Sequence, residues 1–368
     1  MVGGAGRLPL PNRAQEDLVL PAVTDDTLRR LPKAELHLHL DGSLRPATVE
    51  ELARELGLVP ADAPAGAAMA RVRVTRRAGL LDALAGFEVL LPLLQTRQHL
   101  ARVTRELVED LAADGVVYAE LRFCPRLNTE RGLTVDQVLA TVGEAAAQAE
   151  TATGTRVALL ACLMGGVDPG WNRPVLEAAI RRMDAGVVGV DLAGPVEGRT
   201  PDWVDAHAAM FEHARASGLC VTIHAGEAEP PAAIRTALDR YLADRIGHAT
   251  SLATDPDLLA EVVERRVVLE CCPRSNYWTR TEAELPTLAD HPVGRLLGAG
   301  ARVCLNTDDR SLFGNDLSSE YRVVAEALGL DDRQVAAMTA NGFAGAFHPG
   351  RAAAALERAV DGLEGPGP

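Results

Sequence analysis

The sequence predicts a single α/β domain of the (β/α)8, or TIM-barrel, class, with a helical lid inserted after the first strand and extra helices at the C-terminus. Three observations carry this prediction. Eight short apolar runs recur along the 368 residues. Most are followed by a segment whose apolar residues return every 3.6 positions, the alternation that parallel sheets produce. Residues able to ligate a metal stand at the ends of several of these runs, and barrel active sites gather at the C-terminal ends of the strands. A doubly wound open sheet fits the same alternation and is the alternative.

Residues 1–25 carry Gly, Pro and Asn without periodicity and read as a loose N-terminal arm, leaving 26–368 for the domain. The first strand is 34–40 (AELHLHL), and Pro46 opens a helix that ends at Gly57. Residues 58–76 are rich in Ala, Pro and Arg, and 80–94 are strongly apolar, so this insertion reads as a lid of short helices. The later strands are 115–123, 156–162, 187–192, 219–224, 245–248, 267–270 and 301–306. Helices are expected at 97–114, 134–153, 174–185, 201–217, 232–242 and 256–265, and after Asp316 and Asp331.

Chemistry centres on the first strand. Residues i and i+2 of a strand share a face, so His37 and His39 point to one side and Leu36, Leu38 and Leu40 to the other. A lone His-x-His is as readily a pair of hydrogen-bonded core residues. Here, however, His224 ends the fifth strand, His248 ends the sixth, and Asp308 and Asp309 follow the eighth. Each alone has a bland structural explanation; together at strand ends they point to a metal site. His37, His39, His224 and Asp308 make a three-histidine, one-carboxylate set suited to a single Zn²⁺ with an open position for water. His248 and Asp309 are placed to orient or deprotonate that water, and Glu227 to donate a proton. The chemistry that follows is metal-assisted hydrolysis of a C–N or ester bond. His99, His207, His213, His291 and His348 read as surface or packing residues.

The net charge of −14 argues against a nucleic-acid polymer or an anionic membrane surface as partner. Six cysteines without a C-x-x-C pattern signal neither a structural zinc site nor a disulfide framework, and no apolar stretch reaches the length of a membrane span. A cytoplasmic enzyme acting on a small molecule is the expectation, with its oligomeric state unreadable. Lys33 is the only lysine, so no Walker-type phosphate site is possible.

The motifs PKAELHLHLDGS, GVVYAELRF, VDLAGPVEG, TIHAGE, RIGH, CCPRSN and LNTDD, in that order between about 31 and 346, resemble the adenosine deaminase family of metal-dependent amidohydrolases. The resemblance implies attack of a zinc-activated water on C6 of a 6-aminopurine with release of ammonia. It assigns zinc to His37, His39, His224 and Asp308, protonation of purine N1 to Glu227, and handling of the water to His248 and Asp309. It also implies a backbone contact to the purine at Gly194 and a ribose hydroxyl on Asp41. The adenine-specific branch typically has Glu at the Asp41 position, so the substrate implied is a purine nucleoside, adenosine or 2'-deoxyadenosine or a 5'-substituted adenosine. Binuclear members of the superfamily use a carboxylated lysine inside the barrel, and Lys33 precedes the first strand, which leaves one zinc per chain.

Four positions depart from the pattern: Ala83 in the lid, Cys124, Ala249 after His248, and Arg310 after the Asp pair. Ala83 and Arg310 suggest extra room and a cation beside the substrate, and Leu80, Leu84 and Phe87 keep the apolar wall. An amidohydrolase of the same barrel acting on adenine or another amine is the alternative function. A silent binding protein would have lost a ligand or Glu227, and neither is lost.

Overall fold

The computed structural model describes residues 25–77, 79–194 and 200–364. The arm expected over 1–25 lies outside the described residues except for Asp25, which opens helix α1 (Asp25–Arg30). The same holds for 195–198 of the VDLAGPVEG motif.

Eight parallel strands run in sequence order around one sheet: β1 (Lys33–His39), β2 (Val116–Phe123), β3 (Arg156–Met164), β4 (Val187–Ala193), β5 (Cys220–Ala225), β6 (Arg245–His248), β7 (Val268–Cys271) and β8 (Arg302–Leu305). These are the eight runs expected from sequence, with ends shifted by a few residues. The alternative of an open sheet fails because the segment that follows β8 bridges to β1. His39 N donates to Asp308 O at 2.9 Å and Asp308 N donates to His37 O at 3.0 Å. Just upstream, Asn306 Oδ1 accepts from Leu36 N at 2.8 Å and His37 N at 3.1 Å. The closing seam therefore runs through three of the four expected metal ligands.

The lid occupies the connection from β1 to β2. After α2 (Pro46–Glu55) come three short helices, α3 (Met69–Val72), α4 (Leu80–Leu84) and α5 (Phe87–Leu93), and then the long α6 (Arg97–Ala113). Arg77 ties the lid down by donating to the carbonyls of Tyr277, Arg280, Thr281, Leu285 and Pro286 while its guanidinium stacks on the Tyr277 ring.

Around the barrel, helices begin where capping chemistry allows. α7 (Val135–Thr153) starts in a reciprocal Thr134–Gln137 box, and α9 (Pro201–Ala216) and α11 (Pro256–Glu264) start at proline behind a Thr200 or Asp255 cap. One expected start is corrected. The helix placed at 174 begins five residues earlier, as α8 (Pro169–Arg181), because Asp168 caps Gly170 N and Pro169 takes the first-turn position, leaving Pro174 inside the helix. α10 (Pro231–Asp239), α12 (Pro273–Trp278), α13 (Val293–Gly298) and α14 (Arg310–Phe313) complete the barrel connections. The C-terminal helices α15 (Leu317–Leu328), α16 (Asp332–Gly345) and α17 (Pro349–Glu364) follow, with α16 packed on β8 and β1 and α17 on β2.

Removing the Asn306 amide by Asn306→Ala leaves two buried backbone donors at the seam without an acceptor, each worth about 1–3 kcal/mol. The substitution is expected to lower unfolding stability by about 2–4 kcal/mol in denaturant titration. A loss within experimental error of zero would mean that the seam does not depend on this side chain.

Candidate metal centre and active site

The interior of the barrel holds charge that apolar strands do not ordinarily carry. Arg122 of β2 is fully buried between two carboxylates: Nη1 donates to Asp191 Oδ2 at 3.0 Å and Nη2 to Glu270 Oε2 at 2.8 Å. Nη2 also donates to the carbonyl of Leu36. Each carboxylate in turn holds a histidine, with His37 Nδ1 donating to Glu270 Oε2 at 2.9 Å and His224 Nδ1 lying 2.9 Å from Asp191 Oδ2. Glu270 is gripped further by Thr222 Oγ1 at 2.8 Å and Arg245 Nε at 2.5 Å. Despite burial, the guanidinium groups of Arg122 and Arg245 hold the Glu270 carboxyl well below its ordinary range. Both carboxylates are thus anionic acceptors that fix the Nδ1–H tautomer of their histidines and turn the Nε2 atoms toward the centre.

There His37, His39, His224 and Asp308 converge, with one ligand atom from each lying within 4.8 Å of all the others. Asp308 Oδ1 is 3.3 Å from both His37 Nε2 and His39 Nε2, and His39 Nε2 is 3.2 Å from His224 Nε2. His37 Nε2 is buried without a hydrogen-bond partner. An orphaned imidazole nitrogen facing two others and a carboxylate fits a bound cation, and the N3O donor set suits zinc. A second trio, His248, Cys272 and Asp308, shares the last ligand.

The remaining expected residues border the same space. His248 Nε2 lies 3.6 Å from Glu227 Oε2 and 3.9 Å from Asp308 Oδ2. Burial, with the Asp308 charge nearby, raises Glu227 to about 8. The same causes raise Asp309 well above the usual carboxylate range. Asp309 Oδ1 is buried with no partner, and it comes so close to Gly42 that a Cβ there would sit 1.7 Å from it, so the glycine of LDGS is a condition of the site. A cavity of about 690 Å³ opens from this cluster. Asp41, Gly194, Leu80, Leu84 and Phe87 all line it. Asp41 Oδ1 is buried without a partner, and burial raises that carboxyl to about 7.

Of the four departures from the family pattern, Cys124 does line the cavity. Arg310 does not: its Nε donates to Asn315 O at 3.3 Å behind α14, so it supplies no cation to the pocket. Ala83 faces the protein at 2% exposure rather than the cavity, and so adds no room there. Ala249 occupies the left-handed region at φ 54°.

Sequence reasoning missed the residues behind the ligands: Arg122, Asp191, Glu270, Ser275, Asn276 and His291. Ser275 Oγ donates to Asp308 Oδ2 at 2.7 Å, and Asn276 Nδ2 lies 3.1 Å from His248 Nδ1 and 3.3 Å from Glu227 Oε1. His291, expected to be a surface or packing residue, is buried against Asn276. For the first three a signal existed, since a charged residue inside an apolar strand is costly unless paired.

Comparison with known proteins finds relatives along nearly the whole chain. The family model described as adenosine deaminase matches residues 32–363. The adenosine deaminase of Mycobacterium tuberculosis is 38% identical over 344 residues, covering 89% of this chain and 93% of that protein. Among solved structures, adenine deaminase from Arthrobacter aurescens superposes with a TM-score of 0.81 at 28% identity, over 90% of this chain and 99% of that one. An amidohydrolase from Burkholderia ambifaria with bound Zn gives 0.76 at 25% identity, over 95% and 97% of the two chains. Arabidopsis ADAL complexed with IMP gives 0.78 at 27% identity, over 91% and 98%.

His248, Ala249 and Asp308 are three of the five non-glycine residues with positive φ among the described residues, at 62°, 54° and 64°. Such backbone costs of order 1–2 kcal/mol each and concentrates at functional sites. Ala249→Gly should therefore raise stability by up to about 1 kcal/mol instead of lowering it as Ala→Gly ordinarily does. Thermal unfolding checks this, and a clear drop in Tm would contradict strain at Ala249.

Proposed function

The chain belongs to the adenosine deaminase family, hydrolases acting on C–N bonds, and on that premise we propose that it deaminates a 6-aminopurine nucleoside at a single zinc ion. One observation carries the reading: four metal-type ligands, a buried glutamic acid and two further water-handling groups meet at one end of a cavity whose walls are otherwise largely apolar. His37, His39, His224 and Asp308 would hold the ion, which when bound supplies Lewis-acid activation of water at neutral pH. Zinc in the Burkholderia neighbour supports the choice of metal.

The protein's own groups divide the proton work. Water adds to C6 and ammonia leaves, so one proton must reach the purine ring and another must leave the water. Glu227 Oε1 already accepts from Asn276 Nδ2 and Thr279 Oγ1, which leaves Oε2 to carry the acid proton toward the substrate N1. With its carboxyl raised to about 8, Glu227 is an acid near neutral pH. Asp309, with an unpartnered buried oxygen, and His248 flank the position of the water. The Gly194 backbone meets the purine edge, and its left-handed φ of 85° reserves the position for glycine. Asp41 receives the ribose hydroxyl, and Leu80, Leu84 and Phe87 cover the base.

The electrostatics select among purines. Among the described residues no lysine or arginine lines the cavity, while exposed Glu88 and Glu130 and half-buried Glu229 add negative charge beyond the catalytic carboxylates. A 5'-phosphate finds no cationic partner among the described lining residues, which supports a neutral nucleoside over the nucleotide bound in ADAL with IMP. The likeness to adenine deaminase favours the free base as second reading, but the cavity extends well past a base and Asp41 offers the extension an acceptor. Six cysteines, none of them in a disulfide among the described residues, support a reducing compartment such as the cytoplasm.

Glu227→Gln is expected to fold, keep its metal and lose about 10²- to 10⁴-fold in kcat, because the amide keeps the shape without the proton. Metal analysis alongside ammonia release decides it, and near-normal turnover would remove Glu227 from the mechanism. In a second measurement, adenosine should exceed its 5'-monophosphate in kcat/KM by at least about 100-fold, since opposing like charge costs several kcal/mol. Equal use of the two would contradict the nucleoside reading.

A further inference from the structure

Behind the two proton-handling groups runs a buried chain of hydrogen bonds that reaches a histidine not adjacent to the cavity. It begins at an unambiguous donor. Val293 N–H donates to His291 Nδ1 at 3.1 Å, so that nitrogen is an acceptor. Burial and the Arg280 charge push this imidazole down to about 3, so it is neutral and its single proton lies on Nε2. His291 Nε2 then donates to Asn276 Oδ1 at 3.3 Å. With its oxygen so engaged, the Asn276 amide must present NH2 on its other side, where it meets His248 Nδ1 at 3.1 Å and Glu227 Oε1 at 3.3 Å. His291, Asn276 and His248 are 3%, 0% and 1% exposed, so water does not compete for any of these bonds. Each link is directional: the backbone amide sets His291, His291 sets Asn276, and Asn276 sets what lies beyond it.

We propose that His291, through Asn276, is a positioning residue that fixes the proton arrangement of both acid–base groups, holding His248 as the Nε2–H tautomer and leaving Glu227 Oε2 free to carry its proton. His248 accepts at Nδ1 and therefore offers an N–H, 3.6 Å from Glu227 Oε2 and 3.9 Å from Asp308 Oδ2. It orients the attacking water as a donor and does not remove the water's proton. That task falls to Asp309, whose Oδ1 is buried and unpartnered. Swapping the Asn276 oxygen and nitrogen would undo both settings at once, placing an acceptor against His248 Nδ1 and against Glu227 Oε1. A serine hydrolase whose histidine is held in the wrong tautomer loses about 10⁴-fold in kcat with its geometry intact.

This inference deepens the proposed deaminase reading, and its first test is independent of turnover. In zinc-loaded protein labelled with ¹⁵N-histidine, with His248 assigned by the signal missing from His248→Gln, the ring shifts should show Nε2 protonated and Nδ1 bare. In His291→Phe they should show loss of that single tautomer, with kcat lower by about 10- to 100-fold, KM within about twofold, and most of the loss recovered in His291→Gln, which retains a donor and an acceptor. If His291→Phe does not fold, Asn276→Asp reads the same point: an acceptor facing Nδ1 should move the His248 proton there and cost about 10²- to 10⁴-fold in kcat. Nδ1 protonated in the wild type, or an unchanged tautomer in a folded variant, overturns the proposal. Failure to deaminate any purine with the expected tautomer in place would count against the deaminase reading and leave the relay standing.

Discussion

One buried guanidinium organises this molecule. Arg122 rises from the second strand between Asp191 of the fourth and Glu270 of the seventh, and those carboxylates hold His224 and His37. Among the described residues it is the one cation that reaches both carboxylates, with Arg245 also on Glu270 and His224 on Asp191, and these ionised acceptors fix the two imidazoles with their Nε2 atoms inward. Arg122 also stands in register with His39 across the β1–β2 pair and binds the carbonyl before His37. Two histidine ligands are therefore referred to its side chain and the third to its backbone. A lysine would be a poor substitute, since a point charge cannot span two carboxylates and a carbonyl as a planar fork does.

The second organising feature is that barrel closure and ligand convergence are the same event. The hydrogen bonds that join the first strand to the segment after the eighth involve the backbones of His37, His39 and Asp308, so the site forms only when the last strand docks. The positive φ of Asp308 and His248 is sustained there because packing on all sides overdetermines it. Chemistry then separates by depth. Charged pairs beneath the histidines fix orientation, the ligand layer lies above them, and the lid helices supply an apolar cover that carries the exposed Glu88 carboxylate.

Much of this was legible in the sequence because strand-end residues follow from periodicity. His37 and His39 two apart, His224 and His248 closing short apolar runs, and Asp308 after the last run all place themselves once the barrel is assumed. Asn276 and His291 were not legible. They lie on the connections after the seventh strand, and nothing local distinguishes a buried relay histidine before a proline from a surface one. Arg122, Asp191 and Glu270 were legible in principle as charges in apolar strands, but which carboxylate meets which histidine depends on the barrel's cross-sectional register. Arg310 and Ala83 misled for the complementary reason. Proximity to the catalytic motif in sequence does not fix side-chain direction, and both turn into the protein. The start of α8 was misplaced because Pro174 is a weaker initiator than the Asp168–Pro169 cap that precedes it.

The proposed nucleoside deaminase chemistry depends on one metal ion held by His37, His39, His224 and Asp308. The most direct test strips the protein of metal with a chelator and titrates zinc back while the conversion of adenosine to inosine is followed. No turnover is expected in the stripped protein, with a linear recovery that breaks sharply at one equivalent per chain. Full turnover without metal, or a break at two equivalents, would contradict it.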